Sequence, residues 1–341
     1  MDIFKLRFML AMLEQMLSPK TFLQSMFFKD TLPVPTDTID IDIVKGKRRL
    51  APMQNPIVEG KVVERAGFTT STYKPAYIKP KTVTTAADLL KRLPGETLYG
   101  SSQTPEQRAA VIMAKDFQYL RELIVRRKEW MCAQALTTGK ISIVGDGVSY
   151  EVDFLMDSNH KVTLTGADLW SAGTSDPLAD LRDWKQLISK DSGLMPDVLL
   201  LGHDTWPAFI NHSKVKDKLD LLNVQLGRIN PANLPNGATY LGSLNELGVD
   251  VYAYDEWYLP DGSDTNTPMI PANKVVMGST KARCEMHYAA IQDLECGRAA
   301  VMEFPKSWEE KDPSVRFVQL QSAPLAGLHQ PDAFVVAQVL S

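Results

Sequence analysis

The sequence predicts an α+β protein: one long helix, a layer in which strands and helices alternate, and a strand-rich tail. Three observations carry this. No glycine or proline interrupts Glu106–Thr138, and Met113, Phe117, Leu120, Ile124, Met131 and Ala135 recur there at mostly three- and four-residue steps, the stripe of an amphipathic helix. Strand-like and helix-like runs alternate over residues 166–280, as in an α/β layer. In the last sixty residues "ARCEMHYAAI", "SVRFVQLQSA" and "AFVVAQVL" read as strands.

The chain of 341 residues is long enough for about two domains. Its 44% hydrophobic and 23% charged residues allow a sizeable core. A formal net charge of -4 argues against a dedicated nucleic-acid binder, which needs basic excess to displace counterions from phosphate. Cys132, Cys284 and Cys296 have no framework spacing, which points to a reducing compartment. Glu14 interrupts the apolar start "MDIFKLRFMLAMLEQML", so it reads as an amphipathic helix rather than a signal peptide. No membrane span is expected, and the chain is expected to be soluble and cytoplasmic where it is made.

Residues 1–55 read as an arm of short elements. "TIDIDIV" alternates apolar and polar residues, a strand with one buried face. Residues 56–100 read as an extended loop and linker. "IVEGKVVE" and "FTTSTY" flank Ala66-Gly67 as a hairpin. Its second limb runs on as "TSTYKPAYIKPKTV", where Pro75 and Pro80 lack amide donors and so cannot sit in a central strand. Ten extended residues reach roughly 33 Å, and the limb has few apolar residues to anchor it at home. Its expected partner is therefore another chain, and removal of Thr69–Lys81 is expected to leave the isolated subunit's unfolding nearly unchanged. Residues 101–165 hold the long helix. Thr104 caps it, Pro105 takes its first position, Gln107 completes a capping box and Gly139 ends it. At about 51 Å it is a spine that several parts of the molecule share. "ISIVGDGVSYEVDF" follows as a hairpin turning at Asp146-Gly147. In residues 166–280, Asp176-Pro177 opens a helix that Gly193 stops, "DVLLLG" is a buried strand, and Asp204 opens a helix that "SKVKDKLDLL" extends or follows. "VDVYAYDEWY" and "NKVVMG" are further strands. Residues 281–341 return to the platform of 101–165.

Motifs for chemistry are missing. The sequence has no Gly-x-Gly-x-x-Gly, phosphate-binding loop, His-Glu-x-x-His or Gly-x-Ser-x-Gly, so no catalytic residue, cofactor or metal is expected. Cys284 and His287 are three apart on a strand and face opposite ways, so they read as a buried thiol and a surface imidazole. His203 and Asp204, with Ser213, sketch a triad at the end of a strand, but Asp204 reads better as a helix cap. Arg126, Arg127 and Lys128 read as a solvated or partner-facing flank.

Seven stretches, in order and at similar spacing, carry a resemblance: "PKTFLQSMFFKD", "NPIVEGKVVERAGFTTSTYKPAYIKPK", "LLKRLPGE", "KVKDKLD", "VMGSTKARCEMHYAAIQD", "FPKSWEEKDPSVRFVQLQSAPL" and "PDAFVV". Over nearly its whole length the chain resembles the tailed-phage major capsid proteins, and among them the phage lambda (E) family. The resemblance implies a Hong Kong 97-like fold, with an N-arm, an extended loop over a neighbouring subunit, a peripheral domain with a spine helix, and an axial domain at 166–280. It implies pentamers and hexamers of an icosahedral phage or prophage shell enclosing double-stranded DNA, built in the bacterial host cytoplasm. Implied partners are other copies, a scaffolding protein, a portal and a decoration protein, with DNA a non-specific neighbour and no membrane. Tyr73, Lys74, Tyr77, Lys79 and Lys81 are then the expected inter-subunit loop contacts. The lysine–asparagine crosslink of some relatives is not carried over, because no asparagine follows Asn273. The alternatives are an α/β enzyme using His203 and Asp204 and an encapsulin-type shell.

Overall fold

A computed structural model describes residues 5–16, 21–44, 50, 51, 53, 55–57, 59, 67–85, 105–145, 147–216, 232–233, 237–296, 301–312 and 314–341. Two short helices, α1 (Leu6–Gln15) and α2 (Phe22–Met26), are followed by strands β1 (Asp30–Pro33), β2 (Ile39–Val44), β3 (Phe68–Tyr73) and β4 (Lys81–Thr85). The long helix α3 (Pro105–Thr138) leads into the hairpin β5 (Lys140–Gly145) and β6 (Val148–Asp153), then β7 (Lys161–Thr163). Helix α4 (Pro177–Asp191), β8 (Val198–Leu201) and helix α5 (Thr205–Asn211) come next. Strands β9 (Ala232–Asn233), β10 (Ala238–Leu244), β11 (Val249–Tyr254), β12 (Trp257–Tyr258), β13 (Thr267–Pro268), β14 (Lys274–Gly278) and β15 (Cys284–Tyr288) follow. The chain finishes with β16 (Phe304–Glu310), β17 (Val315–Gln321), β18 (Pro324–Leu328) and β19 (Phe334–Gln338). Among the described residues no helix is long and apolar enough to cross a membrane.

The largest sheet has seven strands in the order β7-β19-β14-β8-β11-β10-β9. It is mixed: β8 runs parallel to β11 and antiparallel to β14. Both faces are covered, which explains the unbroken apolar run of β8. Leu199 and Leu201 face α4 and pack with Leu181, Trp184 and Ile188, while Val198 and Leu200 face the other core with Phe22, Met131 and Phe334. Alternation with period two across a doubly covered sheet leaves no polar position. The strand β19, expected to return with 281–341, lies inside this sheet between β7 and β14.

Helix α3 behaves as the expected spine. All six residues of its stripe are buried. Its first half packs with Met9 and Leu13 of α1 and with Val318 and Leu320 of β17; its second half joins the core that contains α2, β2 and the seven-stranded sheet. Gly139 ends it with φ +70°, in the left-handed region that glycine tolerates. Thr104 lies outside the described residues, as do Asp146 of the β5–β6 turn, the continuation beyond Lys216 and most of the Ile57–Glu64 run. Asp176 caps α4, accepting from the Ala179 amide at 3.1 Å. Asp204 precedes α5, but its side chain makes no capping bond.

One expectation is corrected here, that the loop limb has no partner in its own subunit; the expected pairing of "FTTSTY" with the Ile57–Glu64 run falls outside the described residues. The "FTTSTY" strand pairs antiparallel with β2, from Ile39 opposite Tyr73 to Val44 opposite Phe68. The limb beyond it also stays at home: Ile78 bridges Ser322, and β4 is the third strand of the sheet β16-β17-β4. The reason is backbone pairing. A limb poor in apolar side chains is held by ladder hydrogen bonds, which are indifferent to hydropathy.

Candidate functional site

The arm and the loop limb build one continuous surface on the spine. Helix α3 holds both helices of the arm by their ends. Arg121 Nη1 donates to the carbonyls of Leu13 at 3.0 Å and Met16 at 2.9 Å, at the C-terminal end of α1. Eight residues on, Glu129 accepts from the amides of Leu23 at 2.7 Å and Gln24 at 3.1 Å, the open N-terminus of α2. A cation thus meets a helix C-terminus and an anion meets an N-terminus, each the favourable sense of the helix dipole. Glu129 also accepts from Tyr254 Oη at 2.8 Å, so one carboxylate joins the arm, the spine and the large sheet. Burial pushes its pKa upward, and the hydrogen bonds from Leu23 and Tyr254 oppose this. Lys128, expected on a solvated flank, is buried: it sits 4.0 Å from Glu303 and 3.3 Å from Tyr288 Oη, and burial lowers its pKa. Arg127 does reach outward, to Asp261 at 2.7 Å.

The ribbon β2–β3 turns one face inward and one outward. Ile39, Ile41 and Ile43 are buried. On the outer face Thr70 and Thr72 donate to Asp42 and Asp40 at 2.6 Å each. The five expected contact residues fall along this ribbon and the limb after it. Tyr73 Oη donates to the Asp153 carbonyl at 2.6 Å. The Lys74 carbonyl accepts from Tyr150 Oη. Tyr77 Oη donates to Gln321 Oε1 at 2.6 Å; burial, then the nearby Asp293 carboxylate, pushes its pKa up to about 12. Gln321 in turn donates to Asp293 at 2.9 Å, and Lys306 does so at 3.0 Å. The Lys79 ammonium lies 6.0 Å from the Tyr77 ring centre, and that of Lys81 lies 5.0 Å from that of Phe317. Both tyrosines are therefore committed within the subunit. Lys74, Lys79 and Lys81 lie on its exposed side together with Phe68, 65% exposed, and Val83, 49% exposed.

The rival site does not assemble. His203 Nδ1 pairs with Asp255 at 3.3 Å, both half-exposed, and no hydrogen bond joins it to Ser213. His287, expected at the surface, is buried: β15 is the middle strand of its sheet, with β1 on one edge and β18 on the other, and the His329 ring packs against that of His287. Sequence reasoning missed Arg121 and Glu129 as arm anchors. The available signal was two opposite charges on the apolar flank of the α3 stripe.

Comparison with known proteins gives one answer. The family described as phage major capsid protein E matches residues 5–339. The major capsid protein of Escherichia phage lambda is 28% identical over 327 residues, covering 92% of this chain and 92% of that one. That of Enterobacteria phage P21 is 29% identical over 346 aligned positions, covering 99% and 100%. A solved prophage capsid protein of E. coli CFT073 superimposes with a TM-score of 0.73 at 21% identity over 98% of each chain. The mature capsid subunit of bacteriophage PhiM1 gives 0.51 at 10% identity, over 95% of this chain and 88% of that one. With the family covering nearly every residue and the fold shared with solved capsid subunits, this chain belongs to the phage major capsid protein E family.

Proposed function

We propose that this structural capsid protein closes an icosahedral shell as pentamers and hexamers, enclosing double-stranded DNA. The observation that carries the reading is the family match over residues 5–339. In this reading residues 1–55 are the arm, 56–100 the extended loop and linker, 101–165 with 281–341 the peripheral platform, and 166–280 the axial domain. Shell closure comes from heterologous contacts that repeat around the rotation axes. The outward lysines 74, 79 and 81, with Phe68 and Val83, meet the neighbouring subunit, while Tyr73 and Tyr77 fix the limb that presents them. Scaffolding, portal and decoration proteins are the further partners, and assembly takes place in the bacterial host cytoplasm. A mildly acidic subunit suits a container, since a strongly basic lining would grip duplex DNA by counterion release.

Negative-stain microscopy of the expressed chain, alone and with a scaffolding partner, tests this. Rings, tubes or closed shells are expected. A strictly monomeric protein at high concentration in both preparations, together with a hydrolase activity lost in His203→Ala, would overturn it.

A further inference from the structure

A cluster of three metal-ligating side chains lies away from the arm anchors and the loop lysines. Glu285 and His287 stand two apart on β15 and so share a face. His329 follows β18, the antiparallel partner of β15, and brings its ring to the same place. His329 Nε2 is 3.1 Å from His287 Nε2, and Glu285 Oε2 is 3.6 Å from the first and 3.9 Å from the second. Ligands bound to a tetrahedral ion at about 2.0–2.2 Å stand roughly 3.3–3.6 Å from one another, so the cluster has the dimensions of a site. Both imidazoles are buried, and the Glu285 side chain, 15% exposed, marks the way in.

Three further features fit an ion. His329 Nδ1 lies 2.8 Å from the Asp42 carbonyl; donating there, it leaves Nε2 with a bare lone pair, the usual support of a metal-bound histidine. Gly327 faces Glu285 across the ladder, and a Cβ there would lie 2.6 Å from His287 Cδ2 and 2.7 Å from Nε2, so the ring fills the space a side chain would take. Arg283 Nε donates to Glu285 Oε1 at 2.8 Å and leaves Oε2 turned to the histidines. Among the described residues His287 Nδ1 has no hydrogen-bond partner, so its proton can move there when an ion takes the place of the Nε2–H that otherwise faces His329.

We propose that Glu285, His287 and His329 bind one divalent transition-metal ion through Oε2, Nε2 and Nε2, with water as the fourth ligand. Two imidazoles, one carboxylate and near-tetrahedral spacing suit zinc best. The ion would clamp β15 to the segment after β18 and, through Asp42, to β2. It would thereby lock the arm ribbon to the sheet beneath it. This inference does not depend on the shell reading.

The test uses the full chain, stripped with a chelator, dialysed against zinc chloride, and assayed by elemental mass spectrometry. About one zinc per chain is expected in the natural protein, with a cobalt(II) derivative showing the intense visible bands of a four-coordinate site without thiolate. His287→Gln and His329→Gln should each weaken zinc binding at least tenfold, and Glu285→Gln should weaken it while leaving the circular dichroism unchanged. Zinc should raise the melting temperature of the natural chain and of none of these variants. Less than about 0.1 zinc per chain at saturation, as two imidazoles sharing only a proton would give, overturns the proposal. So does a thiolate band in the cobalt spectrum, or Glu285→Gln holding zinc as tightly as the natural chain.

Discussion

Replacing Glu129 by alanine tests whether the spine truly holds the arm. The change removes the acceptor of three hydrogen bonds, from the amides of Leu23 and Gln24 and from Tyr254 Oη, at a buried position. A buried donor left unpaired costs roughly 1–3 kcal/mol, so three give a simple sum of about 3–9 kcal/mol. Removing a buried carboxylate returns part of this, because burial disfavours its charged form. The expected net loss is about 3 kcal/mol, concentrated at α2. Glu129→Gln keeps one carbonyl oxygen for the Leu23 amide but turns an NH₂ group toward another donor, so it should fall between, at roughly 1–2 kcal/mol. The assay is hydrogen exchange by mass spectrometry on peptides spanning residues 21–28. A loss of about 3 kcal/mol in local opening accelerates exchange there by roughly a hundredfold. Exchange at α2 unchanged within threefold in Glu129→Ala would refute the reasoning and would mean that the contacts of Phe22, Leu23 and Phe27 seat the arm without the carboxylate.

Tyr77→Phe removes one hydrogen bond to Gln321 and should lower stability by about 1 kcal/mol in urea titration of the dispersed subunit; no change would show the limb is held by its ladder alone. Deleting Thr69–Lys81 removes most of β3 and the bridge at Ile78, and should lower the melting temperature clearly, where a limb without a home would leave it unchanged. For Asp293, burial alone would raise the carboxyl, but Gln321, the Glu295 amide and Lys306 bring it below its ordinary 3.8. A depressed carboxyl stabilises the fold above its unfolded pKa and loses that contribution as the pH falls through its folded one. Melting temperature should therefore drop less steeply in Asp293→Asn than in the natural chain as the pH falls below about 4.

What the sequence made legible was periodicity and punctuation. The stripe from Met113 to Ala135, the alternation of Ile39, Ile41 and Ile43, the cap at Asp176 and the stop at Gly139 each depend on residues within a few positions of one another. What it concealed was choice of partner. Thr69–Thr72 fits any neighbouring strand equally well, and the nearby Gly67 favours a local hairpin; the partner chosen, β2, is set by burial of three isoleucines that the segment itself does not contain. Buried charge was hidden for the same reason. Lys128 and Glu129 follow two arginines and look like part of a solvated run, and only the arrival of α2, Tyr254 and Glu303 takes them out of water. The pair Glu285 and His287 has a readable spacing, but the third member, His329, reaches it only through the β15–β18 pairing. Reading Cys284 against His287 compared opposite faces and passed over the same-face pair.

The home pairing of the limb changes how contact with a neighbour has to be understood. A limb lacking its own core would bury apolar surface on the next subunit and would be held there by the hydrophobic effect. Here the ladder on one side of β3 is already satisfied by β2, and that of β4 by β17. Among the described residues each of these strands is the last of its sheet and is paired on one side. Open edges invite unregulated pairing unless charge and proline blunt them. This limb has both: Pro75 and Pro80 delete amide donors, and Lys74, Lys79 and Lys81 set cations beside or on the edge. In our reading these residues do two things with one chemistry. They keep free subunits from adding strand to strand, and they let a neighbour with matching carboxylates dock in one register, because cations between hydrogen-bonding positions are tolerated only where the facing surface compensates them.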